Sequence, residues 1–314
     1  MASMLLPTPA QALRHDRALA HRRSVRPFRH CGRPTLTPCH LPSAPITPPS
    51  PPLLERVGRD VLASVVQAVA LLHLIGETAL TAGGVLTHPR RLRWRTVLRN
   101  IQLGGWQALP IIGITSFLLG VVVAYQGADQ LKHYGANIFV VDLVGYSMLR
   151  EFAPLISAII IAGRSGSAYA AQIGTMVVTE EVDAMRTLAI DPIELLVLPK
   201  LLALAIALPL LTVFADAAGV FGGMVMARSQ LGIGFHEFAD RFGRVMQGPT
   251  LLLGVGKSLV FAAIIVVIGC YQGFRTRGSA DSVGRQTTAA VVQSIFLVIV
   301  ADALFSVAFN VLDI

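Results

Sequence analysis

Charged residues are scarce in this sequence. Only 14% of its 314 residues are Asp, Glu, Lys or Arg, and 54% are hydrophobic, whereas a soluble globular domain carries roughly 25% charged residues. The few charges crowd into short clusters between long, nearly uncharged windows. This pattern is typical of membrane spans separated by loops, and it predicts an all-α integral membrane protein rather than a soluble enzyme.

Cysteine is also rare, and the sequence has no cluster of metal-ligating residues. The three cysteines, Cys31, Cys39 and Cys270, form neither a disulfide framework nor a zinc spacing. We therefore expect no metal and no cofactor. Much of the net charge of +8 lies before position 100, where basic residues flank hydrophobic windows, as they do on the cytoplasmic side of a membrane. No basic face interleaved with aromatic residues indicates nucleic-acid binding.

Motifs for nucleotide binding and for nucleophilic catalysis are incomplete. Residues 254–258 (GVGKS) resemble the end of a phosphate-binding loop, but the opening glycine that this loop requires is replaced by Leu251. Residues 163–167 (GRSGS) do not form a G-x-S-x-G elbow, because Ser167 occupies the position of the second glycine. The sequence therefore predicts that the chain is not an enzyme and does not bind ATP itself.

A tail rich in proline and arginine precedes the membrane part. Residues 1–52 contain seven arginines and one acidic residue. Such a segment buries too little apolar surface to offset the entropy of ordering, so we expect it to be disordered. It lacks the continuous apolar segment of a secretory signal peptide. An organellar transit peptide and an extension without function both remain possible.

Residues 53–314 are predicted to form the membrane domain. A helix over 53–87 carries a polar stripe on a mostly apolar surface, which favours an interfacial helix, with a membrane span as the alternative. About five spans follow, near residues 101–128, 137–163, 195–227, 250–274 and 286–311. Pro110 predicts a kink in the first span. The distribution of Lys and Arg favours a cytoplasmic N-terminus and an exported C-terminus.

Ionisable residues inside the predicted spans mark the interior of the bundle. These residues are Asp142, Arg150, Glu151, Asp216, Lys257 and Asp302. Each costs about 2.5–3.5 kcal/mol at the bilayer centre, so each should face the bundle interior, a cavity or another charge. Lys257 could pair with Asp216 or with Asp302, either to fix the helix register or to line a path for a substrate with a polar head group. The adjacent Arg150 and Glu151 point about 100° apart on a helix and should have different partners.

Small residues in the third predicted span indicate a close helix contact. Gly219 and Gly223 are four residues apart, which is the spacing that brings helix backbones together in lipid.

The loop between the second and third spans contains a short amphipathic helix, predicted over residues 179–189. Val178, Val182, Met185 and Ala189 form an apolar ridge. Glu180, Glu181, Asp183 and Arg186 surround this ridge. From the pattern alone, such a helix could bind in a groove of a partner, or it could lie on the membrane or on its own bundle.

Several motifs resemble the MlaE (YrbE) family of permeases. They are residues 149–154 (LREFAP), 162–168 (AGRSGSA), 173–176 (IGTM), 179–185 (TEEVDAM), 190–192 (IDP), 208–212 (LPLLT), Lys257 with Ser258, and Asp302. The resemblance extends in order over residues 53–314. It includes relatives in plastids, the trigalactosyldiacylglycerol permeases.

The resemblance implies the permease subunit of an ABC transporter that moves phospholipids or related lipids between the inner and outer membranes. The implied partners are a separate ATP-binding subunit, a periplasmic MCE-type lipid-binding protein and a second copy of the permease. Glu180–Leu188 would be the coupling helix. Its expected ATPase contacts are Glu180, Glu181, Asp183, Met185, Arg186 and Leu188.

Lipid would occupy a cavity lined by the first, second and fifth predicted spans, according to the same resemblance. Arg150 would contact the head group, with Glu151 beside it, and Leu118, Val122 and Tyr125 would line the apolar part. The expected location is a bacterial inner membrane, with the plastid inner envelope as the alternative.

Two rival hypotheses use the same residues differently. In the first, Asp216, Lys257 and Asp302 relay ions in a gradient-driven secondary transporter, which needs no ATPase. In the second, the chain is a membrane scaffold that transports nothing, which predicts no lipid inside the bundle.

Overall fold

The computed structural model describes residues 53–87, 94–245 and 248–311. These residues form helices and turns and contain no β-strand, as the all-α prediction requires. Eleven α-helices are labelled here in chain order. They are α1 Leu53–Thr87, α2 Trp94–Gly104, α3 Leu109–Lys132, α4 Phe139–Ser147, α5 Ala153–Ile161, α6 Ser167–Val178, α7 Glu181–Thr187, α8 Leu198–Leu231, α9 Phe235–Val245, α10 Gly248–Phe274 and α11 Ala280–Val311. The predictions for residues 1–52 lie outside the described residues.

The second predicted span is one long helical stretch with two π-helical turns. Met148–Phe152 connects α4 to α5, and Ala162–Gly166 connects α5 to α6. A third π turn, Ile193–Val197, precedes α8. Each π turn inserts an extra residue into the helix, so the residues that follow face a different direction from the one that an uninterrupted 3.6-residue period predicts.

The predicted kink at Pro110 occurs as a break just before the proline. α2 ends at Gly104, a 3₁₀ turn covers Trp106–Ala108, and Pro110 lies in the first turn of α3. Proline is tolerated in the first turn because the amide hydrogen that it lacks would have no partner within the helix there.

Six helical stretches in the described part of the chain are long and apolar enough to cross a membrane. They are Val65–Gly84, Trp94–Lys132, Phe139–Val178, Ile193–Leu231, Thr250–Phe274 and Ala280–Val311. The last five correspond to the predicted spans and are mostly longer than predicted. The remaining stretch, Val65–Gly84, lies within α1, for which the sequence favoured a position at the membrane interface.

The interfacial position of α1 stays a prediction, but two contacts bear on it. The hydroxyl of Tyr271 donates to the carbonyl of Gln67 at 3.2 Å. A pocket of about 330 Å³ is lined by His73 and Glu77 of α1 together with Arg186 and Asp191. These contacts place Gln67, His73 and Glu77 of α1 near α7 and the C-terminal end of α10.

The backbones of α3 and α8 are in direct contact, and glycine makes this contact possible. A Cβ on Gly120 would collide with the carbonyl of Gly219, and a Cβ on Gly222 would collide with the carbonyl of Phe117. Gly223 faces Val144 of α4 on its other side. The small-residue prediction for α8 is therefore confirmed as a helix–helix contact.

α3 and α8 run in the same direction. Gly105, just before α3, lies against Ala207, and Lys132 at the other end of α3 donates to Gln230 at 3.2 Å. The end of the bundle near Lys132 and Gln230 is therefore opposite to the end that carries α7. We call it the far end.

Candidate functional site

A buried lysine is the centre of a polar cluster inside the bundle. The side chain of Lys257, on α10, is fully buried. Its Nζ donates to Glu151 Oε2 at 2.9 Å and to Asp302 Oδ1 at 3.1 Å. The hydroxyl of Ser306 donates to the same Glu151 oxygen at 2.9 Å. We call Glu151, Lys257, Asp302 and Ser306 the Lys257 cluster. In it, one cation bridges two carboxylates that come from separate helical stretches.

The π turn Met148–Phe152 brings the second predicted span into this cluster. The carbonyl of Arg150 accepts a hydrogen bond from Lys257 Nζ at 3.1 Å, while the neighbouring Glu151 supplies its carboxylate. The Arg150 guanidinium lies 5.9 Å from the ring centre of Phe309 on α11. Arg150 and Glu151 therefore have different side-chain partners, as predicted, although both residues contact Lys257.

Asp216 is not part of the Lys257 cluster. Of the two pairings that the sequence left open for Lys257, the structure forms the one with Asp302. Asp216, on α8, is buried, and within the described residues neither of its carboxylate oxygens has a hydrogen-bond partner. The hydrogen bonds of the described residues therefore do not connect Asp216 and Asp302 into one relay.

An open cavity of about 930 Å³ lies between α3 and the first half of the second stretch. Its wall combines aliphatic and aromatic side chains with polar ones. It is lined by Val123, Tyr125, Gln126, Gly127, Asp129, Gln130, Leu131, Phe139, Asp142, Leu143, Tyr146, Ser147 and Phe152. Tyr125, predicted to line a lipid cavity, is in this wall. Leu118 and Val122 are exposed on the same helix but outside the lining. A mostly apolar cleft of this size can hold part of a lipid.

An ion pair joins the wall of the cavity to α9. The Arg241 guanidinium donates through Nε to Asp142 Oδ1 at 2.9 Å and through a second nitrogen to Oδ2. The hydrogen bond from Arg241 to Asp142 raises the pKa of the guanidinium above its ordinary value. Phe238, fully buried, anchors α9 to the bundle. Sequence reasoning placed Asp142 inside a span but missed this partner.

The short helix predicted over residues 179–189 is present in shorter form as α7, Glu181–Thr187, and Val178 and Ala189 of the predicted ridge lie outside it. Val182, from the predicted apolar ridge, is buried, and Met185 is half-buried. Glu180 begins the helix with a left-handed backbone, φ 61°. Glu181, Asp183, Arg186 and Leu188 are exposed, as is Glu180. The ridge thus packs partly on the chain's own bundle, and a charged surface with one large apolar side chain, Leu188, remains accessible.

Three features of the structure together define a class of protein. Long apolar helices enclose a buried polar cluster and an open cavity, and a small exposed helix stands at one end, as in a multi-pass membrane permease. Residues 97–308 match the family described as permease MlaE. The chain belongs to the MlaE permease family, and it is a multi-pass inner membrane protein.

Three relatives show the range of this family. A probable ABC transporter permease protein of Synechocystis is 38% identical over 216 residues, which cover 69% of this chain and 82% of that one. The chloroplastic protein TRIGALACTOSYLDIACYLGLYCEROL 1 of Arabidopsis thaliana is 34% identical, over 69% of this chain and 62% of the relative. The intermembrane phospholipid transport system permease protein MlaE of Haemophilus influenzae is 27% identical, over 75% and 92%.

Proposed function

We propose that this chain is the membrane subunit of an ABC transporter that moves phospholipids or related lipids between an inner and an outer membrane. The observation that carries the proposal is α7, an exposed charged helix placed between two transmembrane stretches at the end opposite the cavity. The relatives support this assignment, because one is named as an intermembrane phospholipid transport permease and others as ABC transporter permeases.

The proposed partner at α7 is a separate ATP-binding subunit. Val182 fixes α7 to the bundle, and the exposed side chains Glu181, Asp183 and Arg186 with Leu188 form a surface that a groove in a partner can accept. ATP-driven closure of that partner would push on α7, and the displacement would reach the cavity through the helices that follow. A second copy of this chain and a periplasmic MCE-type protein complete the proposed complex.

The cavity and the Lys257 cluster are the proposed lipid path. The cavity supplies an apolar wall with a polar rim. The Arg150 guanidinium, next to the Lys257 cluster, is the proposed contact for a lipid head group. Leu118, Val122 and Tyr125 are exposed on one face of α3, at helical spacing, and are the proposed contacts for acyl chains.

The first test targets α7. The substitution Glu181→Arg reverses a charge on the exposed side of α7 without touching buried Val182. We expect the ATP-binding subunit to be lost on purification, together with ATP-driven lipid movement. Glu237→Arg is the matched control, because Glu237 is an exposed residue of α9 at a distance from α7. An intact, active complex with Glu181→Arg would contradict the proposed docking.

The second test identifies partners and cargo. The tagged chain is purified in mild detergent, and co-purifying subunits and lipids are identified by mass spectrometry. The proposal expects an ATP-binding subunit, an MCE-type protein and bound phospholipid. Transport that follows a proton or sodium gradient without an ATPase would support the secondary-transporter hypothesis instead. A complex without any bound lipid would support the scaffold.

A further inference from the structure

The wall of the cavity is acidic where a phosphate would have to pass. Within the described residues, this wall includes Asp129 and Asp142 but no lysine and no arginine. A lipid head group with a negative phosphate would be repelled by these carboxylates. A countercharge reaches the wall from another helix, because Arg241 on α9 pairs with Asp142.

Arg241 lies at the rim of the cavity rather than deep in the protein. Its side chain is 33% exposed, and that of Asp142 is 19% exposed. The guanidinium lies 5.2 Å from the ring centre of Phe139, which is also part of the wall. One face of the cation thus rests on an aromatic ring of the cavity, while its two donor nitrogens are directed at a carboxylate of the cavity.

We propose that Arg241 is a specificity-determining residue that binds the phosphate of a glycerophospholipid at the rim of the cavity. Asp142 holds its guanidinium in place when no phosphate is there. The inference rests on the proposed function, because it requires lipid to enter the cavity.

The chemistry of the pair supports this exchange. A guanidinium donates two parallel hydrogen bonds equally well to a carboxylate and to a phosphate. A phosphate can therefore replace Asp142 as the partner of Arg241 while α9 stays anchored through buried Phe238. A head group that consists only of uncharged sugar offers no anionic partner. Arg241 should consequently favour phospholipid over galactolipid at this position.

The experiment measures which of two lipids contacts the wall of the cavity. Tyr146, an exposed residue of the wall, is replaced by the photoreactive residue p-benzoylphenylalanine in the full chain. The chain is purified with its partners and reconstituted in vesicles of equal parts phosphatidylglycerol and monogalactosyldiacylglycerol. After irradiation, the ratio of the two lipid adducts is measured by mass spectrometry in this parent chain and in variants that elute as folded complexes.

The two members of the pair should have opposite effects. Arg241→Gln should lower the ratio of phospholipid to galactolipid adducts by about tenfold or more, because the charge and the paired hydrogen bonds to the phosphate are lost. Asp142→Asn, which releases Arg241 from its carboxylate, should raise the ratio. Arg241→Lys should keep part of the preference, because the charge remains without the paired donors. Arg244→Gln, one turn further along α9 and exposed, should leave the ratio unchanged.

Two results would overturn the inference alone. If Asp142→Asn and Arg241→Gln shift the ratio in the same direction, the pair only holds α9 in place. If Arg244→Gln has the effect of Arg241→Gln, general surface charge explains the preference. Absence of any lipid adduct in the parent chain would instead overturn the proposed function, and the inference with it.

Discussion

The Lys257 cluster and the Asp142–Arg241 pair both place a cation beside a carboxylate, but they differ in how deeply the cation is buried. In each, a cation from a later helix pairs with a carboxylate of the second transmembrane stretch, Glu151 or Asp142. Lys257 is fully buried and donates to three acceptors, the carbonyl of Arg150 and the carboxylates of Glu151 and Asp302. Arg241 is one-third exposed and donates two hydrogen bonds to one carboxylate. From this difference we expect the buried Lys257 to hold helices together and the partly exposed Arg241 to exchange partners more easily.

The largest effect should come from Lys257→Met. Removing the cation leaves the carboxylates of Glu151 and Asp302 without their countercharge in the interior, which should cost about 3–5 kcal/mol. The measurement is the fraction of folded chain after heating in mild detergent. Lys132→Met, at an exposed lysine that bonds only to Gln230 among the described residues, is the control and should behave like the parent.

A combined variant sharpens this first prediction. Neutralising all three groups with Glu151→Gln, Lys257→Met and Asp302→Asn should recover much of the lost stability, because no uncompensated charge then remains. If Lys257→Met alone unfolds like the parent chain, the cluster does not hold the helices together as argued.

A smaller effect is expected for Asp302→Asn. Lys257 keeps Glu151 as a countercharge, so the loss should be near that of one hydrogen bond to a charged group, about 1.5–3 kcal/mol. The same heating assay measures it, with Asp281→Asn at the exposed start of α11 as the control. A loss as large as that of Lys257→Met would show that Asp302, and not the lysine, is the main element of the cluster.

Arg241→Gln should change stability less than either substitution in the Lys257 cluster. The pair is partly exposed, so solvent and salt screen it. Unfolding curves at low and high salt test this point. The difference between the variant and the parent should shrink in high salt, whereas the difference for Lys257→Met should persist. A salt-insensitive difference for Arg241→Gln would place the pair in the same class as the Lys257 cluster.

The smallest effect on stability should come from Arg186→Ala on α7. Arg186 and Asp183 form an exposed pair with N–O distance 3.3 Å, one turn apart, and such pairs contribute ~0.2–0.5 kcal/mol. The unfolding curve should therefore match that of the parent, while retention of the ATP-binding subunit falls. Loss of stability without loss of that subunit would indicate that α7 supports the fold rather than the partner.

The five spans after residue 94 and the position of α7 could be predicted because they depend on local patterns, whereas the sixth candidate span, Val65–Gly84, was assigned to the membrane interface. A charge-free window of sufficient length specifies a span wherever the rest of the chain lies. The ridge around Val182 and Met185 likewise repeats within one helix. Bounds were predicted less well, since helices continue past the apolar window into polar residues, as α11 does from Ala280.

The partners of the buried charges could not be predicted in full. Glu151 and Lys257 are 106 residues apart in the sequence, and no local pattern connects them. The π turns add to the difficulty, because Met148–Phe152 and Ala162–Gly166 change which residues face the interior. A regular helical period therefore assigns the wrong faces beyond each of them. Asp142 and Arg241 are likewise joined only by the packing of α9.

The contact between α3 and α8 has a mechanical consequence. Where Gly120 meets the carbonyl of Gly219, no layer of side chains lies between the two backbones, so the helices cannot slide past each other without a clash. We expect α3 and α8 to move as one rigid unit. One end of this unit follows α7 in the chain, and its α3 half forms a side of the cavity. A displacement of α7 would therefore reach the cavity through two helices whose backbones are in direct contact.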